Sequence, residues 1–270
     1  MADPILSMGP WKKNGEMIRD GLVPLGYLDY EALTLDCTWG KGAWWTLWRP
    51  RHLIGCDVDD TKPAPMFADG TCLPFRDRTF QRVAVDGPYK LNGTATAKVD
   101  GPYGVDKWAS APDRHLLMFL LLAEGARVLD DEGILIFKSQ PQVNSGRFWN
   151  QPRMFTEAAE GLGLVQVDEL IFPSFRSQPE RGVCSSCSAK LMRRESGEWG
   201  RVTKSKDPEV RASMLVCPET GARHVPLPPP APGERSLQQH TYRNYSVLGV
   251  YRKPAGTAVP PAHAQAALFP

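Results

Sequence analysis

Leu33-Thr34-Leu35-Asp36-Cys37-Thr38-Trp39-Gly40-Lys41-Gly42 is a short apolar run that closes on an acid and then turns on two glycines. The pattern recurs in Leu53-Ile54-Gly55-Cys56-Asp57, in Met66-Phe67-Ala68-Asp69-Gly70, and in the run from Phe80 to Val85 that ends at Asp86. Short apolar runs of this kind suit strands buried on both faces, and acids at their carboxyl ends line the ligand crevice of a parallel sheet. Glycine at Gly40 and Gly42 lets the backbone turn sharply and approach a ligand where a Cβ would collide. The turn is expected to lead into a helix.

Downstream the period changes. Ser110 and Asp113 are spaced as a capping box with Pro112 in the first turn, which predicts a helix over 110–129. Gly133-Ile134-Leu135-Ile136-Phe137-Lys138 reads as the next strand, 151–162 as a second helix, and 164–172 and 245–252 as strands that could pair antiparallel. These elements predict an α/β, Rossmann-like, doubly wound and mostly parallel sheet with an antiparallel last strand and a small inserted module. The expected divisions are an N-terminal extension (1–30), a catalytic domain (31–180) completed by its last strand (237–253), an inserted Cys-containing module with a Pro-rich connector (181–236), and a disordered tail (254–270).

Hydrophobic residues at 42% and charged residues at 23% are ordinary soluble proportions, which argues against disorder throughout. A balance of 32 Lys+Arg against 30 Asp+Glu does not by itself nominate a nucleic acid, so any basic surface must come from local clustering. The longest apolar stretch, 116–123, falls far short of the ~20 residues of a membrane span, and no basic-then-apolar leader opens the chain. A soluble, cytoplasmic protein without a membrane partner is expected, with Cys37, Cys56 and Cys72 as reduced, buried or half-buried thiols.

Taken singly, Asp57 and Asp69 read as turn or cap residues. Jointly, with the glycine turn before them, they outline a nucleoside-shaped site: an acid ending the second strand can accept from both ribose hydroxyls, and one near the third can meet an adenine amine. Over 33–138 and again at 245–253 the sequence resembles the Rossmann-like methyltransferases that use S-adenosylmethionine (SAM). Asp36-x-Thr38-x-Gly40-x-Gly42 resembles that family's first motif, Asp57 its ribose acid, and Asp69-Gly70-Thr71-Cys72-Leu73-Pro74-Phe75 its adenine-side segment. The resemblance implies SAM as cofactor, with its methionine end on the first motif. A nicotinamide cofactor would call for glycine where Trp45 stands.

Asp86-Gly87-Pro88-Tyr89 follows the fourth apolar run and resembles the D-P-P-Y motif of enzymes that methylate amino groups of DNA or RNA, with Gly87 in place of the first Pro. All of these except Tyr89 are also turn residues; position at a strand end after a SAM-like series favours the catalytic reading. By the resemblance, Asp86 and the carbonyl after it accept from the target amine, and Tyr89 stacks on the base. The expected activity is methylation of an exocyclic nitrogen of adenine or cytosine, in DNA ahead of RNA. A second copy, Asp100-Gly101-Pro102-Tyr103, follows no apolar run and reads as loop.

Cys184-x-x-Cys187 has zinc-knuckle spacing, and Cys217 with His224 could complete a Cys3His zinc site. The surrounding Arg181, Lys190, Arg193, Arg194, Arg201, Lys204, Lys206, Arg211 and Arg223 could track phosphates, although Glu195, Glu198, Asp207, Glu209 and Glu219 dilute the charge. The alternatives are a small-molecule or protein methyltransferase of the same fold, and a nucleic-acid-binding protein that keeps the fold without the activity.

Overall fold

The structure, a computed structural model, describes residues 8–9, 11–91, 110–173, 181–194, 196–203, 205, 207–228 and 245–260. The second D-G-P-Y copy, Lys204, Lys206, and the tail beyond 260 lie outside the described residues. Two compact units emerge, one within 1–175 and 240–270, the other within 176–239. Among the described residues no helix is long and apolar enough to cross a membrane.

In chain order the elements are α1 (Asn14–Met17), β1 (Thr34–Asp36), β2 (Leu53–Asp57), β3 (Met66–Phe67), β4 (Phe80–Val85), α2 (Ala111–Val128), β5 (Leu129–Ser139), β6 (Gln142–Asn144), β7 (Arg147–Trp149), α3 (Gln151–Gly161) and β8 (Val165–Pro173). The other unit contributes β9 (Arg181–Val183), β10 (Lys190–Arg193), β11 (Trp199–Arg201) and α4 (Pro208–Ser213), and the chain then returns through β12 (Tyr245–Arg252). Seven strands form one sheet in the order β3-β2-β1-β4-β5-β12-β8. The first five run parallel, and β12 runs antiparallel to both β5 and β8. Strand order reverses between β1 and β4, which opens a crevice at their carboxyl ends. The sheet is the doubly wound, mostly parallel one that the apolar runs predict.

Both faces of the sheet are covered, which is why Ile134-Leu135-Ile136-Phe137 is apolar without interruption. Leu35, Val83, Val85, Leu135 and Phe137 share a core with Met118, Leu122 and Phe155 of α2 and α3. Ala84, Ile134, Ile136, Leu248 and Val250 pack instead with Trp11, Met17, Ile18, Leu22, Leu28, Trp44 and Trp45. Residues 11–28 therefore do what a crossover helix does elsewhere in such folds. The helix expected after Gly42 is replaced by a single 3-10 turn, Ala43–Trp45, because Trp44 and Trp45 are drawn into that second core.

Ser110 caps α2 as expected: its hydroxyl accepts from the Asp113 N–H, and the Asp113 carboxylate accepts from the Ser110 N–H. At the other end, Lys253 Nζ, fully buried, donates to the carbonyls of Ala126 and Leu129, which satisfies the end of the helix. Two expectations need correction. Cys72 is exposed rather than buried or half-buried, since it sits on the polar turn after Asp69. Residues 254–260, assigned to the tail, pack onto the sheet unit, with Val259 buried in the α2 and α3 core and Gly256 N–H bonded to Asp131.

Candidate functional site

The acids at the ends of β1, β2 and β4 converge as parallel strands must make them. Asp36 is buried; one carboxylate oxygen accepts from the Thr38 N–H (3.0 Å) and the other from the Trp45 indole (2.8 Å). Burial lifts its pKa to about 7 against the pull of those two donors, and the neighbouring Asp86 and Asp57 charges add to the rise. Gly40 and Gly42 have positive φ (55° and 66°), and Asp57 Oδ2 accepts from the Gly40 N–H at 2.7 Å. Asp57 thus folds the glycine turn onto β2. The bulky Trp39 fits because its indole lies on bare backbone: a Cβ at Gly55 would come within 2.0 Å of it.

Asp69 accepts from both the N–H and the hydroxyl of Thr71, and Gly70 sits where a Cβ would meet Leu121 at 2.6 Å and the Cys37 carbonyl at 2.9 Å. Thr38, Asp57, Asp69, Gly70, Asp86, Gly87 and Pro88 line one cleft, floored by Leu117 and Leu121 of α2, with about 460 Å³ of empty space including its mouth. A larger hollow, between α3 and β8 with β12, holds none of these acids.

Sequence reasoning missed what stands behind Asp86. Its Oδ2 accepts from the Trp44 indole (2.9 Å) and from Lys138 Nζ (3.0 Å), while its own N–H donates to the Thr38 hydroxyl (2.7 Å). Lys138, buried at the end of β5, also donates to Asn14 Oδ1 and faces the rings of Trp44, Tyr89 and Phe172 at 5.7–5.9 Å. Burial acts to discharge the ammonium, but Asp86 and Tyr89 outweigh it and hold its pKa above the ordinary value. The sequence signal was slight: a lysine closing an otherwise apolar strand, with partners far away in the chain.

Gly87 explains the departure from D-P-P-Y. A Cβ there would lie 2.6 Å from Met118 Sδ and 2.8 Å from Leu121 Cδ1, so glycine lets these two side chains of α2 pack where a proline would make them shift. The segment after it is tied down at its carbonyls: Tyr89, Lys90 and Leu91 accept from Gln151, Arg114 and Asn144 respectively. Tyr89 departs from its expected role. Its half-buried ring packs against the α2 core, faces Lys138 and has its hydroxyl 3.3 Å from Ser246, and it is not among the residues lining the cleft. Burial raises the phenol pKa.

In the other unit the structure brings Cys184, Cys187, Cys217 and His224 together, with all four ligand atoms within 4.8 Å of one another. Of the basic residues around them, Arg194 is engaged with the Arg201 carbonyl, Arg193 with the Gly197 carbonyl, and Arg223 with Glu198. The local excess is therefore partly spent on the unit itself.

No protein-family model and no curated protein matches the chain. Solved structures that resemble it include a SAM-dependent methyltransferase from Archaeoglobus fulgidus, at 11% identity over 88% of this chain and 94% of that one, with a TM-score of 0.41. The Burkholderia thailandensis 1,6-didemethyltoxoflavin-N1-methyltransferase, with 1,6-didemethyltoxoflavin and S-adenosylhomocysteine bound, is 12% identical over 86% and 74% of the two chains, with a TM-score of 0.39. The cyclase SpnF is 13% identical over 89% and 81%, with a TM-score of 0.44.

Proposed function

We propose that the chain is a SAM-dependent methyltransferase acting on an exocyclic amino nitrogen of a nucleic-acid base, with DNA the first substrate to test. The observation that carries this reading is that Asp86, Gly87 and Pro88 line the same cleft at the strand-order switch as Asp57, Asp69 and Gly70.

The charge of the cleft favours a cation. Burial first, and then the neighbouring Asp86 and Asp57 charges, disfavour ionisation of Asp36, and a ligand carrying a sulfonium and an ammonium would offset both. A dinucleotide pyrophosphate would aggravate it, and the 3-10 turn after Gly42 offers no long helix whose N-terminus could hold a phosphate. Asp57 would take the ribose hydroxyls, the Asp69-Gly70 turn the adenine side, and the glycine turn the methionine end. When bound, SAM supplies an already activated methyl group, so no protein nucleophile is required.

An exocyclic base nitrogen is a poor nucleophile because its lone pair is delocalised into the ring. With Oδ2 of Asp86 fixed by Trp44 and Lys138, Oδ1 is the oxygen left to accept one amine N–H; among the described residues nothing donates to it. The Gly87 carbonyl already accepts from the Tyr89 N–H and keeps a lone pair for the second amine hydrogen. Two acceptors so placed favour a pyramidal nitrogen with its lone pair directed across the cleft. The surplus proton leaves by way of Asp86 Oδ1 to solvent. Tyr89 and Lys138 are positioning residues for that carboxylate.

Single-turnover transfer tests this directly, with SAM affinity measured alongside. Asp86→Ala is expected to slow transfer by about two to three decades, the usual cost of a lost transition-state contact, with SAM affinity little changed. Since that variant strands a buried ammonium, Asp86→Ala with Lys138→Met is the companion that keeps the fold. Undiminished transfer in either would remove Asp86 from the chemistry.

A further inference from the structure

The 176–239 unit has little to hold it together. Its buried apolar cluster consists of Cys184, Leu191 and Cys217, with Cys187 and Trp199 partly buried against them, and α4 buries no residue. A three-stranded sheet with so small a core needs a cross-link to remain folded. Among the described residues, two of the three in its buried apolar cluster are cysteines.

These cysteines sit in two matching turns. Cys184 N–H donates to the Ala189 carbonyl and Ser188 N–H to the Cys184 carbonyl, and in the same way Cys217 N–H donates to the Ala222 carbonyl and Gly221 N–H to the Cys217 carbonyl. Main-chain bonds seat the turns side by side: Ser185 N–H to the Val225 carbonyl, Leu227 N–H to the Val183 carbonyl, and His224 N–H to the Leu215 carbonyl.

The spacing is that of a tetrahedral ion. Cys184 Sγ and Cys217 Sγ are 3.9 Å apart, and Cys187 Sγ is 3.8 Å from His224 Nδ1. Zinc–sulfur bonds of ~2.3 Å give a tetrahedron an edge of about 3.8 Å, whereas a disulfide would bring two sulfurs to about 2 Å. All four groups offer soft or borderline ligands, and among the described residues no carboxylate joins the cluster.

We propose that Cys184, Cys187, Cys217 and His224 bind one zinc ion in a closed tetrahedral site that holds the 176–239 unit folded, independently of methyl transfer. Binding deprotonates the three thiols, and the three protons go to solvent; His224 binds as the neutral ring through Nδ1.

The full-length chain, purified with a mild chelator present, should carry about one zinc per chain. After exchange, cobalt(II) should give intense d–d bands of a tetrahedral ion together with thiolate-to-metal charge transfer. His224→Ala should weaken the metal by more than the ~10–100-fold that an outer partner costs. Stripping the metal should open residues 181–228 to proteolysis while the sheet unit stays resistant. The proposal is overturned by a metal-free chain that takes up no cobalt, by an octahedral cobalt spectrum, or by a disulfide between Cys184 and Cys217 in the purified protein.

Discussion

A carboxyl buried away from water keeps its proton to higher pH, and Asp36 is in that position, with the Asp86 and Asp57 charges adding to the effect. Its folded pKa of about 7 lies above the ordinary value of 3.8. Between those two values the folded chain keeps a proton that the unfolded chain has lost, so Asp36 removes stability as pH rises from about 4 to about 7 and no more above that. A cationic ligand favours the ionised form and expels the proton. SAM affinity is therefore expected to rise between about pH 6 and about pH 8, and calorimetry in buffers of different ionisation heat should record proton release near pH 6.5. Asp36→Asn should abolish that release; a wild-type affinity indifferent to pH would mean that no positive charge settles near Asp36. At this scale the acids and glycines were legible because each closes a strand or opens a turn. Lys138, Trp44 and Asn14 were not, because their meeting with Asp86 depends on which strands and segments become neighbours.

Among the elements, α2 does more than cover the sheet. Its Glu124 and Arg127 form a buried pair, and both reach across to the segment that follows Asp69-Gly70: Glu124 accepts from the Leu73 N–H, and Arg127 donates to the carbonyls of Leu73 and Phe75. Glu124 is the largest influence raising the Arg127 pKa further above its ordinary value. Arg127 also pairs with the exposed Asp77 at 2.6 Å, so Glu124→Leu weakens the pairing of a buried charge without abolishing it and should cost less than the about 3–5 kcal/mol of a fully stranded ion in urea unfolding, while Glu124→Leu with Arg127→Met should restore most of the loss. Equal loss in both variants would show that the segment, not the pair, carries the stability. The capping box at Ser110 and the apolar strands were readable because local chemistry sets them. The hairpin of β6 and β7, turning on Ser145 and Gly146, and the 3-10 turn at Ala43–Trp45 were not, since tertiary packing of Trp149, Trp44 and Trp45 decides them.

For the whole molecule, the apolar runs and their acids sufficed to give the doubly wound sheet, because two-sided burial and strand-end carboxylates belong to that architecture. They did not give the covering of its second face by residues 11–28, which have too little periodicity to mark an element but bury Trp11, Met17, Ile18 and Leu22. Thr38, Asp57, Asp69-Gly70 and Asp86-Gly87-Pro88 come from different stretches of the chain, and the sheet order makes them one cleft, with the glycine turn held beside it by the bond from Gly40 N–H to Asp57. The most direct test of the reading built on that cleft is to incubate the protein with methyl-labelled SAM and separate pools of DNA, RNA, protein and small metabolites, and then identify the labelled product by nucleoside mass spectrometry. The account predicts label in nucleic acid as an N-methylated amino base, lost with Asp86→Ala; label confined to protein or metabolites, on a ring carbon, or nowhere at all in any pool would contradict it.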